Sequence, residues 1–386
     1  MENLIEKYED IIEKHKEKLQ ENIFISKDIL ANEIADGFDK LFEKIISNQE
    51  AGNKEKIQAI NISLLRTGFK TSSINCIVEA FNENWLFDEK PITYTFELGT
   101  IFDEFHILEE YLKMDTKKYV KKYLNDKIEK LVLEQLGITT YYFIELARYA
   151  LGDIVKNNKF KEINKEEKFY IAAGEYRDKG LIIYSDSNTY EDLKISLTYI
   201  DQMKTLRGRC FKNLYFKDKE YRFHDLIGNV FDESIFENIK LEKCALAQTS
   251  FKNCSLNSVS FEGSILHDAF FYNSNIKKVR FQKVYSTNIY DRSKTILTGV
   301  LGTQFLNSKI EDSSFKKSIL NGSDFRHSSI EKVDFTECGL KQADFRECIL
   351  NYVEFTNADL KDAKFNKNQL SSINLSDEQL NSIKLG

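Results

Sequence analysis

The sequence predicts an α + β solenoid: an N-terminal α-helical domain, then a β-helix, then a short C-terminal capping helix. Two observations carry this. Apolar residues recur every fifth position from Phe231 to Phe365, a period that fits neither a helix nor a straight strand. Before residue 200 the apolar residues instead fall at helical spacing, as in Leu4, Tyr8, Ile11, Ile12 and Leu19.

Residues 1–200 are read as mostly α-helical. Ser26 is a candidate N-cap for a second helix carrying Ile29, Ile34, Phe38, Leu41, Phe42 and Ile45. Further helices are expected at 54–66, 72–82, 99–113, 115–136, 139–157 and 164–178, with Gly137 stopping the 115–136 helix. The stretch around Pro91, the only proline, reads as a loop or short strand, and Leu181–Tyr184 as a strand. His106, Glu109 and Glu110 share one helix, and His and Glu three apart could hold a metal. A carboxylate-bridged metal site needs matching motifs on other helices, and none occurs, so a solvated helix face is the simpler reading. No Gly-rich phosphate loop, G-x-S-x-G or H-E-x-x-H is found, so no catalytic, cofactor-binding or metal-binding residue is assigned.

Residues 201–230 form a transitional or capping segment. Leu206, Phe211, Phe216, Tyr221 and Leu226 already keep the five-residue phase, but the residues two before them are mostly not small.

Residues 231–370 carry the repeat. The centres run Phe231, Phe236, Leu241 and onward to Phe281, then restart at Phe305 and run to Phe365; all 24 are large and apolar and include 13 of the 29 phenylalanines. Two positions earlier the residue is small or β-branched, as in Ser308, Ser313, Ser318, Ser323 and Ser328. A turn after each short extended segment makes each five-residue unit one side of a coil. The centre and the small residue point inward and the other three outward. Phe and Leu/Ile alternate, so with four units per coil Phe occupies opposite sides, and Phe325 stacks between Phe305 and Phe345. Six coils at about 4.8 Å give a rod roughly 29 Å tall.

The segments NADLK (357–361), QADFR (342–346) and KVDFT (332–336) resemble the units of the pentapeptide repeat family. The resemblance covers about 231–370 and implies a right-handed quadrilateral β-helix. It does not extend to the N-terminal domain.

An interruption at 282–304 breaks the phase. Tyr285, Tyr290 and Arg292 there are candidate partner-binding groups, because insertions on a solenoid often carry binding; a neutral register shift is the alternative. Residues 371–386 form the C-terminal cap. Ser376–Gln379 is a capping box, predicting a helix at about 377–383. Leu380, Ile383 and Leu385 either close that end or bury in a second copy, making a homodimer.

Cys244, Cys254, Cys338 and Cys348 occupy the small inward position and read as packing residues rather than a zinc or redox site. The N-terminus is a charged helix, so no signal peptide or membrane span is expected and the location is cytoplasmic.

These features point to a non-catalytic protein-binding or scaffold protein with an unidentified protein partner. The family resemblance supplies an alternative, a DNA-mimicking binder of topoisomerase (gyrase) that confers drug protection. Charge disfavours it. Residues 206–386 hold 26 Lys+Arg and 23 Asp+Glu, a net +3, whereas a DNA mimic presents one-sign acidic rows. Direct nucleic-acid binding is equally unsupported, since neither half has a clustered basic excess. A second alternative is an unrecognised enzyme or signalling domain at 1–200.

Overall fold

A computed structural model describes residues 2–71, 76–99, 101–116, 123–178, 180–185, 204–288 and 299–386. The chain divides into two compact units, Met1–Ser187 and Asn188–Gly386.

The first unit mixes helices with a sheet. Its elements are α1 (Glu2–Glu50), β1 (Ile57–Leu64), the single turn α2 (Gly68–Thr71), β2 (Cys76–Phe81), β3 (Ile92–Phe96), α3 (Asp103–Thr116), α4 (Tyr123–Gln135), α5 (Gly137–Ile154), α6 (Asn158–Glu162), β4 (Lys165–Glu175) and β5 (Leu181–Ser185). The strands form one sheet in the order β3-β2-β1-β4-β5, with β1 and β4 parallel and the other neighbours antiparallel.

This corrects the expectation of a mostly α-helical domain at three segments, while β3 and β5 fall where a short strand after Pro91 and a strand at Leu181–Tyr184 were expected. The segments read as helices at 54–66, 72–82 and 164–178 contain β1, β2 and β4. Their apolar residues satisfy helical spacing locally, as Ile57, Ile60 and Leu64 do, and the alternation of Ile60, Ile62 and Leu64 that marks β1 spans only five residues. Ile60, Ile62, Leu64, Val78, Ile171 and Ile183 are buried on the face that receives α1 and α5. Two helix signals are also corrected. Ser26 lies inside the single helix α1 rather than capping a new one, and Gly137 opens α5 rather than stopping its predecessor. Among the described residues no helix is long and apolar enough to cross a membrane.

The second unit is a parallel β-helix. Residues pair with those 20 positions on, as in Tyr215↔Ile235, Ile235↔Ser255 and Ser329↔Ile349, so four five-residue units complete one coil. Pairing begins at Thr205↔Asp225, which makes the 201–230 segment largely a first coil. One side is bridged through Cys210, Val230, Ser250, Phe270, Gln304, Asp324, Asp344, Lys364 and Lys384, nine levels, because coils extend beyond both ends of the 231–370 stretch for which six were expected.

The inward columns fill the interior. Phe305, Phe325 and Phe345 stack nearly parallel with centroids 4.8 and 4.7 Å apart. Phe281, Phe315 and Phe335 form a second column, spaced 4.5 and 4.8 Å. The two columns meet edge to face, as Phe325 and Phe335 do at 5.6 Å, an arrangement that matches ring edges to ring faces. Each unit then turns through one residue with positive φ two positions after the centre, such as Asn253 (φ 56), Lys278 (φ 54) and Glu337 (φ 58). A left-handed residue turns the chain sharply within a single step, and four such turns close one coil.

Candidate functional site

The small inward residues do more than fit. Ser328 Oγ donates to the Phe305 carbonyl at 2.6 Å, Ser264 Oγ to Leu241 at 2.7 Å, and Cys338 Sγ to Phe315 at 2.8 Å. Each links a small inward residue to the centre carbonyl of the preceding coil. These carbonyls sit in a dry interior, where a lost partner is costly. Serine, threonine and cysteine are therefore favoured for a donor as well as for size. Burial pushes the Cys244 thiol up to about 11 and the thiols of Cys338 and Cys348 up to about 12; those of Cys254 and Cys76 are raised by burial too. A disulfide-exchange reagent at pH 8 should label the half-buried Cys210 quickly and the other five only after unfolding. Rapid labelling of two or more native thiols would contradict the buried assignment.

The interruption is narrower than 282–304. Ile265 still pairs with Tyr285 at the usual 20-residue offset, whereas Phe270 pairs with Gln304, an offset of 34. Fourteen extra residues, 289–302, thus enter at one corner. The stacks on both sides are undisturbed: Phe271–Phe305 and Phe281–Phe315 lie 5.0 and 4.5 Å apart across the insertion.

The returning end of the insertion is anchored by a residue that the sequence did not single out. Asp268 is fully buried and accepts from Val300 N–H at 2.8 Å and Leu301 N–H at 2.8 Å. A side chain on Gly299 would collide with that carboxylate. Gln304 Nε2 donates to the carbonyls of Leu301 and Gly302, both at 2.8 Å. Gly302 has φ +72, and a Cβ there would sit 2.4 Å from the Gly322 carbonyl oxygen, so only glycine passes. Of the candidate groups here, Tyr285 is half-buried with its ring 5.2 Å from His267; Tyr290 and Arg292 lie outside the described residues.

At the other end, a helix spans Asp377–Ser382 behind the Ser376/Gln379 capping box, and Lys384–Leu385 pairs with Lys364–Phe365. Gln379 Nε2 donates to the carbonyls of Phe355 and Ala358, and Gln369 Nε2 to those of Phe345 and Cys348. Leu380 and Leu385 are exposed, whereas Ile383 packs partly against the core. Asp324 and Asp344, on one side of the rod, hold Arg326 and Arg346 through paired bonds of 2.6–3.2 Å, so these carboxylates are neutralised in place.

In the first unit, the His106 ring stacks on Phe69 at 4.4 Å, and Glu109 pairs with Lys113. Among the described residues no three metal-ligating side chains come together.

Profile comparison bears on the second unit alone. The family described as pentapeptide repeat region matches residues 302–375, and that described as pentapeptide repeats (8 copies) matches 234–271 and 244–283. Residues 234–375 are a pentapeptide-repeat region. The N-terminal region matches no family. Solved pentapeptide-repeat structures are also similar. Full-length QnrB1, a plasmid-mediated fluoroquinolone resistance protein, is 11% identical, with a TM-score of 0.29 over 46% of this chain and 93% of its own. HetL, involved in heterocyst differentiation regulation in the cyanobacterium Nostoc sp. strain PCC 7120, is 12% identical, with a TM-score of 0.24 over 44% and 94%. Rfr23 from the cyanobacterium Cyanothece 51142 is 8% identical, with a TM-score of 0.21 over 44% and 99%. No curated protein sequence matches the chain.

Proposed function

We propose that this chain is a non-catalytic scaffold whose pentapeptide-repeat rod presents a protein-binding loop at one corner. The supporting observation is the insertion at 289–302. It enters and leaves without disturbing the phenylalanine stacks, and its return is fixed by the buried Asp268 carboxylate. A rod this regular gains nothing in stability from such a loop, and loops fixed on rigid frames are where binding groups concentrate. In this reading the rod is a right-handed quadrilateral β-helix. Residues 371–386 close its C-terminal end, a role supported by the Gln379 and Gln369 amides that satisfy coil carbonyls.

Removing 289–302 tests this directly. The deletion joins Asn288 to Thr303 and restores the 20-residue register. Combined with Asp268→Asn, because the deletion also removes the Val300 and Leu301 N–H groups that hold that buried carboxylate, the shortened chain should still fold cooperatively, with each coil keeping both neighbours. It should fail to capture the partner that the full chain captures from the same extract. Equal capture by both chains would overturn the loop's role.

A further inference from the structure

The open face of the first unit's sheet holds a trough of about 580 Å³, a size typical of small-ligand sites. Its floor follows from strand register. Asn61 on β1 lies opposite Glu79 on β2 and Ala172 on β4, while Ser63 lies opposite Gly174. Side chains directly opposite each other share a face, and Ser63, Ala172 and Gly174 are small, so the floor beside Glu79 is recessed. The wall is aromatic: Trp85 and Tyr170 meet edge to face at 5.2 Å.

Three features of this trough are unexplained by folding. Glu79 is half-buried, yet makes no hydrogen bond or ion pair among the described residues. Burial raises its carboxyl, an effect that the Arg177 guanidinium partly offsets; that guanidinium lines the same trough and lies over the Tyr176 ring at 5.3 Å. Asn61 Oδ1 is a buried acceptor without a partner. Trp85 sits at φ 47, a left-handed conformation that disfavours a bulky side chain and costs strain, as seen where a group is held for a purpose.

We infer that this trough binds an organic ammonium group, a protonated amine carrying at least one N–H. The chemistry is complementary at each point. The Glu79 carboxylate supplies the countercharge. Asn61 Oδ1 accepts the N–H that a quaternary ammonium lacks. The faces of Trp85 and Tyr170 attract a cation through their ring quadrupoles. Arg177 and the hydroxyls of Ser63 and Tyr170 also line the trough, but a carboxylate ligand would lie against the Glu79 carboxylate, and a neutral alcohol could bond to Glu79 only while leaving its charge uncompensated.

Trp85 is the only tryptophan in the chain, so its fluorescence reports on this site alone. Full-length protein is titrated with n-pentylamine, 1-pentanol and pentanoate at constant ionic strength, with calorimetry in parallel. The expected result is a saturable response to the amine alone. Glu79→Gln should weaken it at least tenfold while leaving the melting temperature unchanged. Tyr170→Leu should weaken it as well. Equal responses to amine and alcohol, an unaltered affinity in Glu79→Gln, or no saturable signal from any probe in either measurement would each overturn the assignment.

Discussion

Replacing Phe335 by alanine should destabilise the second unit by about 3–5 kcal/mol, the usual cost of emptying a fully buried phenylalanine site. Its ring is fully buried, lies 4.8 and 5.3 Å from Phe315 and Phe355 in its own column, and meets Phe325 and Phe345 edge on. Four ring contacts vanish together, and the bonded coils above and below cannot collapse into the space. The melting transition should fall by roughly 10 °C or more. Lys341→Ala, which removes only an exposed ion pair to Asp359, should shift stability by no more than about 0.5 kcal/mol. Similar melts for the two variants would mean that the fifth-residue side chains do not form the core.

The second large effect concerns Asp268. Asp268→Ala strands the buried N–H groups of Val300 and Leu301, so a loss of about 2–4 kcal/mol is expected. Asp268→Asn keeps one acceptor oxygen and should lose less. The diagnostic comparison is a double-mutant cycle. In a chain already lacking 289–302, Asp268→Ala no longer strands the Val300 and Leu301 N–H groups, so its cost should be smaller by at least about 1 kcal/mol. An equal loss in both backgrounds would show that Asp268 supports the coil itself rather than the insertion.

These two positions mark what the sequence reveals. Phe335 is legible because a period of five survives only if every fifth side chain shares one environment. The column partners, the alternation of Phe with Leu or Ile, and the inward small residues follow from the same count. Asp268 is not legible. It occupies an ordinary corner position, where aspartate is common for its tolerance of positive φ, and its role depends on residues some thirty places away. The hydroxyl and thiol donors were half legible: their size was evident, but their bonds to carbonyls of the preceding coil needed the 20-residue stacking.

The first unit shows the opposite case. Ile60–Leu64 alternates apolar and polar residues, a strand period, but it is only five residues long, and Ile57, Ile60 and Leu64 also satisfy helical spacing, so the two readings compete. With the strands unread, the trough could not be anticipated. Glu79, Asn61 and Tyr170 are distant in sequence and meet only through strand register.

The 20-residue bonding offset also bears on how such a rod could have arisen. Hydrogen bonds run from each level to the next one alone, and every level presents the same edges to its neighbours. A tandem duplication of one whole circuit therefore creates no mismatched junction, and its loss leaves none. A corner can take up an addition that is not a multiple of five, as the fourteen residues 289–302 show, whereas a stray residue within a side would turn every later phenylalanine out of the core. Gene-level growth is thus channelled into two routes, entire circuits along the axis and ornaments at the edges.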